Sequence, residues 1–323
     1  MIFAVILAIS AAQPPPAAKP TVFSPGGISG AAHDSAPAFT PDGRTLYFGR
    51  STAAASFILV SQRTQPDGWS PPQIASFSGR WIDMEPAMAP DGSYLIFASN
   101  RPRLPNGRPV DGAMGGKLQP GEGSNLWRVE RADGGWGEPV RLPDAVNASG
   151  STYSPSIAGD GTLFFMRPNA TTHRFQLFEA RRDAGGGYEA PTPLPFSDGT
   201  ETDVDPAVAR DQSFIVFGSG RHAGKDIDLF IAFKTKQGWA SPVYLGDGIN
   251  TSSSDAEPRL SPDNDTLYFS SDRLVPAPHP IPAGHAERIL NDMNAWNNGL
   301  YNIWTVDLRT TIEQLRNSQP VIR

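Results

Sequence analysis

Acidic residues stand shortly before four of five similarly placed prolines, and arginines follow the apolar segments that come after those prolines. Carboxylates and guanidinium groups in such a set can form bidentate ion pairs, bind a polar ligand, or surround a cation such as calcium. Paired carboxyl groups can also cleave a glycosidic bond as acid and base. The acids are Asp34, Asp83, Glu85, Asp203, Asp205, Asp255 and Glu257, and the arginines are Arg50, Arg101, Arg221 and Arg273.

Other chemistry is poorly represented in the sequence. There is no cysteine, which excludes thiol catalysis and cysteine-ligated zinc. The five histidines show no metal-binding spacing, and no Gly-x-Ser-x-Gly nucleophile motif or phosphate-binding glycine loop occurs. Three interpretations of the acids and arginines therefore stay open: ion pairs that serve the fold, a site for a polar ligand or cation, and a catalytic acid pair.

A repeated sequence motif contains these residues. An aspartate follows each of five aligned prolines by five residues, and the prolines are 49, 69, 51 and 52 residues apart. Two apolar segments come next in each copy, and in four copies an aromatic residue with a proline three positions later follows them. The aligned prolines are Pro37, Pro86, Pro155, Pro206 and Pro258.

The segments are short, rich in β-branched and aromatic residues, and bounded by turn residues, which is typical of β-strands. Four strands per repeat of about 50 residues predict the blade of a β-propeller. The fifth copy lacks a fourth strand, and the segment Val22–Pro25 can supply it. We therefore predict an all-β fold: a five-bladed propeller of four-stranded antiparallel blades, closed by the N-terminal strand.

The repeat resembles those of TolB-type propellers, and also the propellers of some periplasmic OmpA-family proteins. Residues 254–273, 226–230, 238–242 and 248–251 carry the resemblance, which spans about 20–309 and is specific for the fold. TolB itself has six blades and an additional N-terminal domain, for which this chain has no room. No OmpA-like module follows the repeats either, so a translocation role does not carry over.

The resemblance implies that the strand at the aligned proline is the innermost of each blade. The acids before the prolines, the arginines after the second strands and two insertions then share one face, where they form a charged ring around the channel mouth. The insertions are 102–124, which is loop-like, and 274–301, which predicts a helix in blade 5 with Ile289, Leu290, Met293 and Trp296 on one side. We expect them to flank blade 1; the helix could bind a partner or only cap the propeller.

The N-terminus predicts export. An apolar run at 2–9 followed by small residues is typical of a signal peptide, here 1–12, followed by a proline-rich lead at 13–20, the propeller at 21–309 and a tail at 310–323. We expect a periplasmic or secreted monomer with no transmembrane segment in the mature chain. The net charge of −6 argues against nucleic acid as a partner.

These observations predict an exported, non-catalytic binding module. Its charged, insertion-bearing face would take a protein, peptide or glycan partner. No cofactor is expected, although calcium could bind in the ring. The alternative is a carbohydrate-active enzyme, a glycoside hydrolase or lyase, that uses acids at the channel mouth. Propellers serve many activities, so the fold does not choose between these functions.

Overall fold

The computed structural model describes residues 19–65, 68–222 and 227–318. In these ranges the chain is almost entirely β, with two short helices. Residues 1–18, which include the predicted signal peptide and most of the proline-rich lead, lie outside the described residues.

Five antiparallel sheets follow one another along the chain after a first strand, β1 (Thr21–Val22). Blade 1 contains β2 (His33–Phe39), β3 (Thr45–Thr52), β4 (Ala55–Gln65), β5 (Gly68–Trp69) and β6 (Gln73–Ile74). Blade 2 contains β7 (Asp83–Met88), β8 (Tyr94–Ser99), the insertion hairpin β9 (Gly112–Met114) and β10 (Lys117–Gln119), then β11 (Asn125–Ala132), β12 (Gly135–Trp136) and β13 (Val140–Arg141).

The remaining blades repeat this order. Blade 3 contains β14 (Tyr153–Ile157), β15 (Leu163–Pro168), β16 (Phe175–Ala180) and β17 (Thr192–Pro193). Blade 4 contains β18 (Asp203–Val208), β19 (Phe214–Ser219), β20 (Asp228–Thr235), β21 (Gly238–Trp239) and β22 (Val243–Tyr244). Blade 5 contains β23 (Asp255–Leu260), β24 (Thr266–Ser271) and β25 (Asn302–Asp307), and β1 is its fourth strand. The chain is a five-bladed β-propeller.

The N-terminal strand closes the ring as predicted. Thr21 pairs with Thr305 and Val22 with Trp304, and the Phe23 amide donates to the Ile303 carbonyl at 2.8 Å. The Phe23 ring packs edge-on against Tyr268 of the same blade, with the ring centroids 5.2 Å apart. Closure therefore pairs the open edge of blade 5 with β1, a strand from the other end of the chain.

The predicted hairpin turns join the first two strands of each blade. The residue after the turn aspartate has a positive φ and is a glycine, a glutamine or an asparagine; φ is 65° at Gly43 and 57° at Gln212. The turn aspartate accepts from the amide two residues later, as Asp42 does from Arg44 at 3.0 Å. This local role accounts for the aspartate of every repeat.

The apolar core lies between neighbouring blades. Second-strand residues of one blade, such as Ile96 of blade 2, pack with residues of the next, such as Phe165 of blade 3, in a single buried cluster. Because each inter-blade core has its own residues, the five blades act as wedges around a central channel.

Both predicted insertions leave from the ends of second strands. The insertion of blade 5 contains helix α1 (Ala286–Ala295), whose residues are not buried; it is joined to the blade through Trp296, whose ring lies 6.4 Å from that of Trp304. The segment predicted as a tail forms helix α2 (Arg309–Ser318), and Ile312 packs on the core of blade 5. Among the described residues, neither helix is long and apolar enough to cross a membrane.

Candidate functional site

Every innermost strand has a β-bulge that contains the aligned proline and the residue before it, where pairing with the second strand shifts register. The residue before each proline has a positive φ of 47–54°. Such backbone is strained outside glycine and needs surrounding contacts to hold it. In a regular strand Asp83 and Glu85 would share a face, but the bulge gives them different partners. The pre-proline residues are Ala36, Glu85, Ser154, Asp205 and Glu257.

The first set of acids forms ion pairs within four of the five blades. These aspartates are at most 1% exposed, and each lies 2.5–2.6 Å from the guanidinium that follows the second strand. The guanidinium groups lie over aromatic rings of the second strand, such as Arg101 over Phe97 at 4.9 Å. The pairs are Asp34–Arg50, Asp83–Arg101, Asp203–Arg221 and Asp255–Arg273.

The same arginines also hold the segment that arrives from the preceding blade. Arg273 donates to the Ile249 carbonyl at 2.7 Å, and Arg101 donates to the carbonyl of Phe77. Blade 3 keeps this bond without an aspartate, since Arg167 donates to the Ala145 carbonyl at 3.0 Å. A contact present in every blade serves the blade, so these pairs are best explained as structural ties.

The pre-proline residues form a separate inner ring that joins neighbouring blades. The Ser154 amide of blade 3 donates to Glu85 of blade 2 at 2.7 Å, and its hydroxyl donates to Asp205 of blade 4 at 2.5 Å. The Glu257 amide of blade 5 donates to Asp205 at 3.3 Å. The single charged ring expected from the sequence is therefore two layers with different partners.

Burial dominates the electrostatics of the inner ring. It raises the pKa of Glu85 to about 8, and the nearby charges of Asp205 and Glu257 act in the same direction. The pKa values of Asp205 and Glu257 are also raised, with burial as the main cause. Glu85 is consequently a neutral carboxylic acid near pH 7, next to groups that compete for charge.

Two arginines fill the other end of the channel, and the sequence analysis missed both. The residue after the aligned proline is Ala or Ser in four blades, which leaves room for Arg259 of blade 5. Arg259 is 5% exposed, and its Nη1 donates to the Pro258 carbonyl at 2.8 Å. Arg210 of blade 4 reaches the carbonyl of Pro90 in blade 2, which is not its neighbour in the ring. A cavity of about 90 Å³ lies between the two arginines.

The inner ring opens into a larger cavity on the insertion-bearing face. This channel-mouth pocket has a volume of about 300 Å³ and includes Glu85 and Glu257. The short hairpin of blade 1 at 52–56 forms one wall, together with Ile82 and Met84. The pocket thus lies over blade 1.

The insertions approach this pocket differently from the prediction. The insertion of blade 5 contacts blade 1, since the Tyr301 carbonyl accepts from the Asp34 amide at 2.8 Å. The insertion of blade 2 leans toward blade 3 instead, where the Ala113 amide donates to the Ser151 hydroxyl at 2.8 Å. In the ranges that the structure describes, no three His, Asp or Glu side chains are grouped to hold a metal ion.

Comparisons with known proteins agree on the fold. No known family profile matches the sequence, and no curated protein matches it significantly. The catalytic domain of a Coprinopsis cinerea GH62 α-L-arabinofuranosidase matches with a TM-score of 0.53 and 10% identity, over 90% of this chain and 97% of that one. A thermostable family-43 glycoside hydrolase matches with a TM-score of 0.50 and 14% identity, over 78% and 86%.

TolB β-propellers are also among the structural neighbours. TolB from Acinetobacter baumannii matches with a TM-score of 0.48 and 13% identity, over 85% of this chain. The match covers 54% of that TolB, so the chain spans about half its length. At these identities the likenesses show the fold alone.

Proposed function

We propose that this propeller is a non-catalytic binding module that holds a protein or peptide partner on its insertion-bearing face. The observation that carries the proposal is the distribution of exposed apolar side chains. Eight of the ten large hydrophobic residues exposed in the described ranges lie on the two insertions. They are Leu104, Met114, Leu118, Leu274, Val275, Ile281, Leu290 and Met293.

Exposed apolar groups of this kind support a macromolecular partner over a free sugar. Scattered surface hydrophobics need no explanation, but a concentration on the long loops of one face is typical of interaction sites. On α1, Leu290 is 55% and Met293 is 53% exposed. The apolar run at 2–9 supports the further proposal that the protein acts after export, in the periplasm or outside the cell.

Replacing Leu290 and Met293 together by serine should weaken the partner at least tenfold, because such anchors carry most of the energy of an interface. A displayed random-peptide library selected on the wild-type protein supplies the probe, and fluorescence anisotropy gives its Kd. Ile74→Ser is the matched control, since Ile74 is 52% exposed in an outer strand of blade 1. If no selected peptide loses affinity in the double variant, the insertions are not the binding surface.

A second candidate function, glycosidic bond cleavage, is favoured by one observation. Burial raises the pKa of Glu85 to about 8, and this carboxyl shares the inner ring with those of Asp205 and Glu257, so a proton donor lies among further carboxyl groups. This candidate predicts that the wild-type protein releases reducing ends from a polysaccharide panel and that Glu85→Gln does not. Asp144→Asn, at an exposed site, should keep the activity. The absence of release by the wild type would remove this candidate.

A further inference from the structure

An outer cleft between blades 2 and 3 collects positive charge on a protein whose net charge is −6. This rim cleft has a volume of about 400 Å³ and lies away from the channel mouth. Arg128 and Arg141 of blade 2 line it together with Arg182 of blade 3, and Glu130 is the one acidic residue among its lining residues. Its walls therefore carry an excess of two positive charges.

Two of these guanidinium groups contact the ring of one buried tyrosine, Tyr94, from the two blades that form the interface. The Arg128 guanidinium carbon lies 3.6 Å from the centroid of the Tyr94 ring, and that of Arg182 lies 6.0 Å from it. The ring attracts both cations, while their mutual repulsion is not offset by a shared anion. An anion placed between them would be stabilised by both.

The carboxylates that pair with two of these arginines are largely exposed to solvent. Arg128 pairs with Glu130, whose side chain is 58% exposed, and Arg141 pairs with Asp144, whose side chain is 87% exposed. Exposed pairs of this kind contribute about 0–1 kcal/mol, so a ligand can replace them at little cost.

Arg182 is the arginine of the cleft without a carboxylate partner among the described residues. Across the described ranges, no carboxylate lies within ion-pair distance of Arg182, and its buried Nη1 has no hydrogen-bond partner. Gly186, whose φ of 83° favours glycine, lies beside Nη2 of Arg182. A buried guanidinium nitrogen without an acceptor is costly unless a ligand or water satisfies it.

The floor of the cleft is apolar. Leu142 is buried there, and Val140 is 66% exposed, one of the two large exposed hydrophobics that lie outside the insertions in the described chain. The cleft thus offers guanidinium groups for an oxyanion next to an apolar surface that is otherwise left in water.

We propose that the rim cleft binds a small organic oxyanion, a phosphate or sulfate monoester whose apolar body lies on Val140. The guanidinium groups of Arg128 and Arg182 bind the oxyanion from the two blades, and Arg141 contributes a further positive charge at the edge of the cleft. This site is separate from the insertion-bearing face, so it stands or falls independently of the proposed partner.

Isothermal titration at low salt tests the proposal with four probes: phenyl phosphate, phenyl sulfate, inorganic phosphate and inorganic sulfate. The wild-type protein should bind one phenyl ester at least tenfold more tightly than the matching inorganic ion, because only the ester covers Val140. The comparison of the two esters decides between phosphate and sulfate. Equal binding of ester and inorganic ion overturns the proposal. So does the absence of binding by every probe at about 10 mM.

Two variants locate the site. Arg182→Gln should weaken the bound ester at least tenfold, whereas Arg181→Gln should not, since the Arg181 side chain is 67% exposed and pairs with Glu179. Val140→Glu places an opposing charge at an exposed position without affecting the core, and it should also weaken binding at least tenfold. Unchanged affinity in Val140→Glu refutes the site even if Arg182→Gln proves unstable.

Discussion

Asp83→Asn should lower the free energy of unfolding by about 3–5 kcal/mol, because it leaves a buried guanidinium without its counter-charge. Asp83 is fully buried and lies 2.6 Å from Arg101, whose side chain is 10% exposed. Asp83 also accepts from the hydroxyls of Ser99 at 2.7 Å and Ser78 at 2.9 Å. Urea unfolding, analysed by its midpoint and slope, measures the loss.

A surface pair with the same separation supplies the control. Asp144 also lies 2.6 Å from its arginine, Arg141, but the Asp144 side chain is 87% exposed. Asp144→Asn should cost less than about 1 kcal/mol, because water screens the pair. If the two variants lose equal stability, burial does not strengthen the ion pairs within the blades.

Glu85→Gln should make the protein more stable than the wild type at pH 8 and equally stable near pH 4.5. Glu85 has a pKa of about 8 in the folded chain against 4.5 for an ordinary glutamate. A raised folded pKa gives stability that is complete below pH 4.5 and is lost as the pH rises toward 8. Glutamine keeps the shape and the acceptor for the Ser154 amide but removes this titration.

The expected gain for Glu85→Gln at pH 8 is on the order of 4 kcal/mol, and calorimetry from pH 4.5 to 8.5 measures it. Burial also raises the pKa of Asp34, to about 6, so the stability of the wild type falls with rising pH for a second reason. Asp34 is present in both proteins, so the difference in stability between variant and wild type removes its contribution. Glu130→Gln, at a side chain that is 58% exposed, should run parallel to the wild type. Parallel curves for Glu85→Gln itself would show that the channel does not hold this carboxyl in its neutral form.

The repeat made the fold predictable. Proline, aspartate and apolar segments return in one order, and each is a local requirement of a strand or a turn. The missing fourth strand of the fifth copy also located the closing strand at Thr21–Val22. Helix α2 was missed, because it follows the last copy of the repeat and packs on blade 5 through Ile312.

The repeat did not predict which acids form ion pairs within a blade and which belong to the inner ring. Asp83 and Glu85 are two residues apart, which places them together in any regular strand. Whether a bulge intervenes depends on the register between the first and second strands. One signal was available for a different residue: the small residue after four of the five aligned prolines leaves room for Arg259 in the channel, beside Arg210.

The sequence by itself determined the number of blades, their order and the closing strand, because these follow from the repeat and its turn chemistry. The common face of the acids and insertions was an expectation drawn from the resemblance to TolB-type propellers. Only the tertiary structure decided which acids pair with arginines inside a blade and which face one another across the channel. It also brought Arg128 and Arg182 to one cleft, because contacts between blades depend on distances that no spacing along the chain encodes.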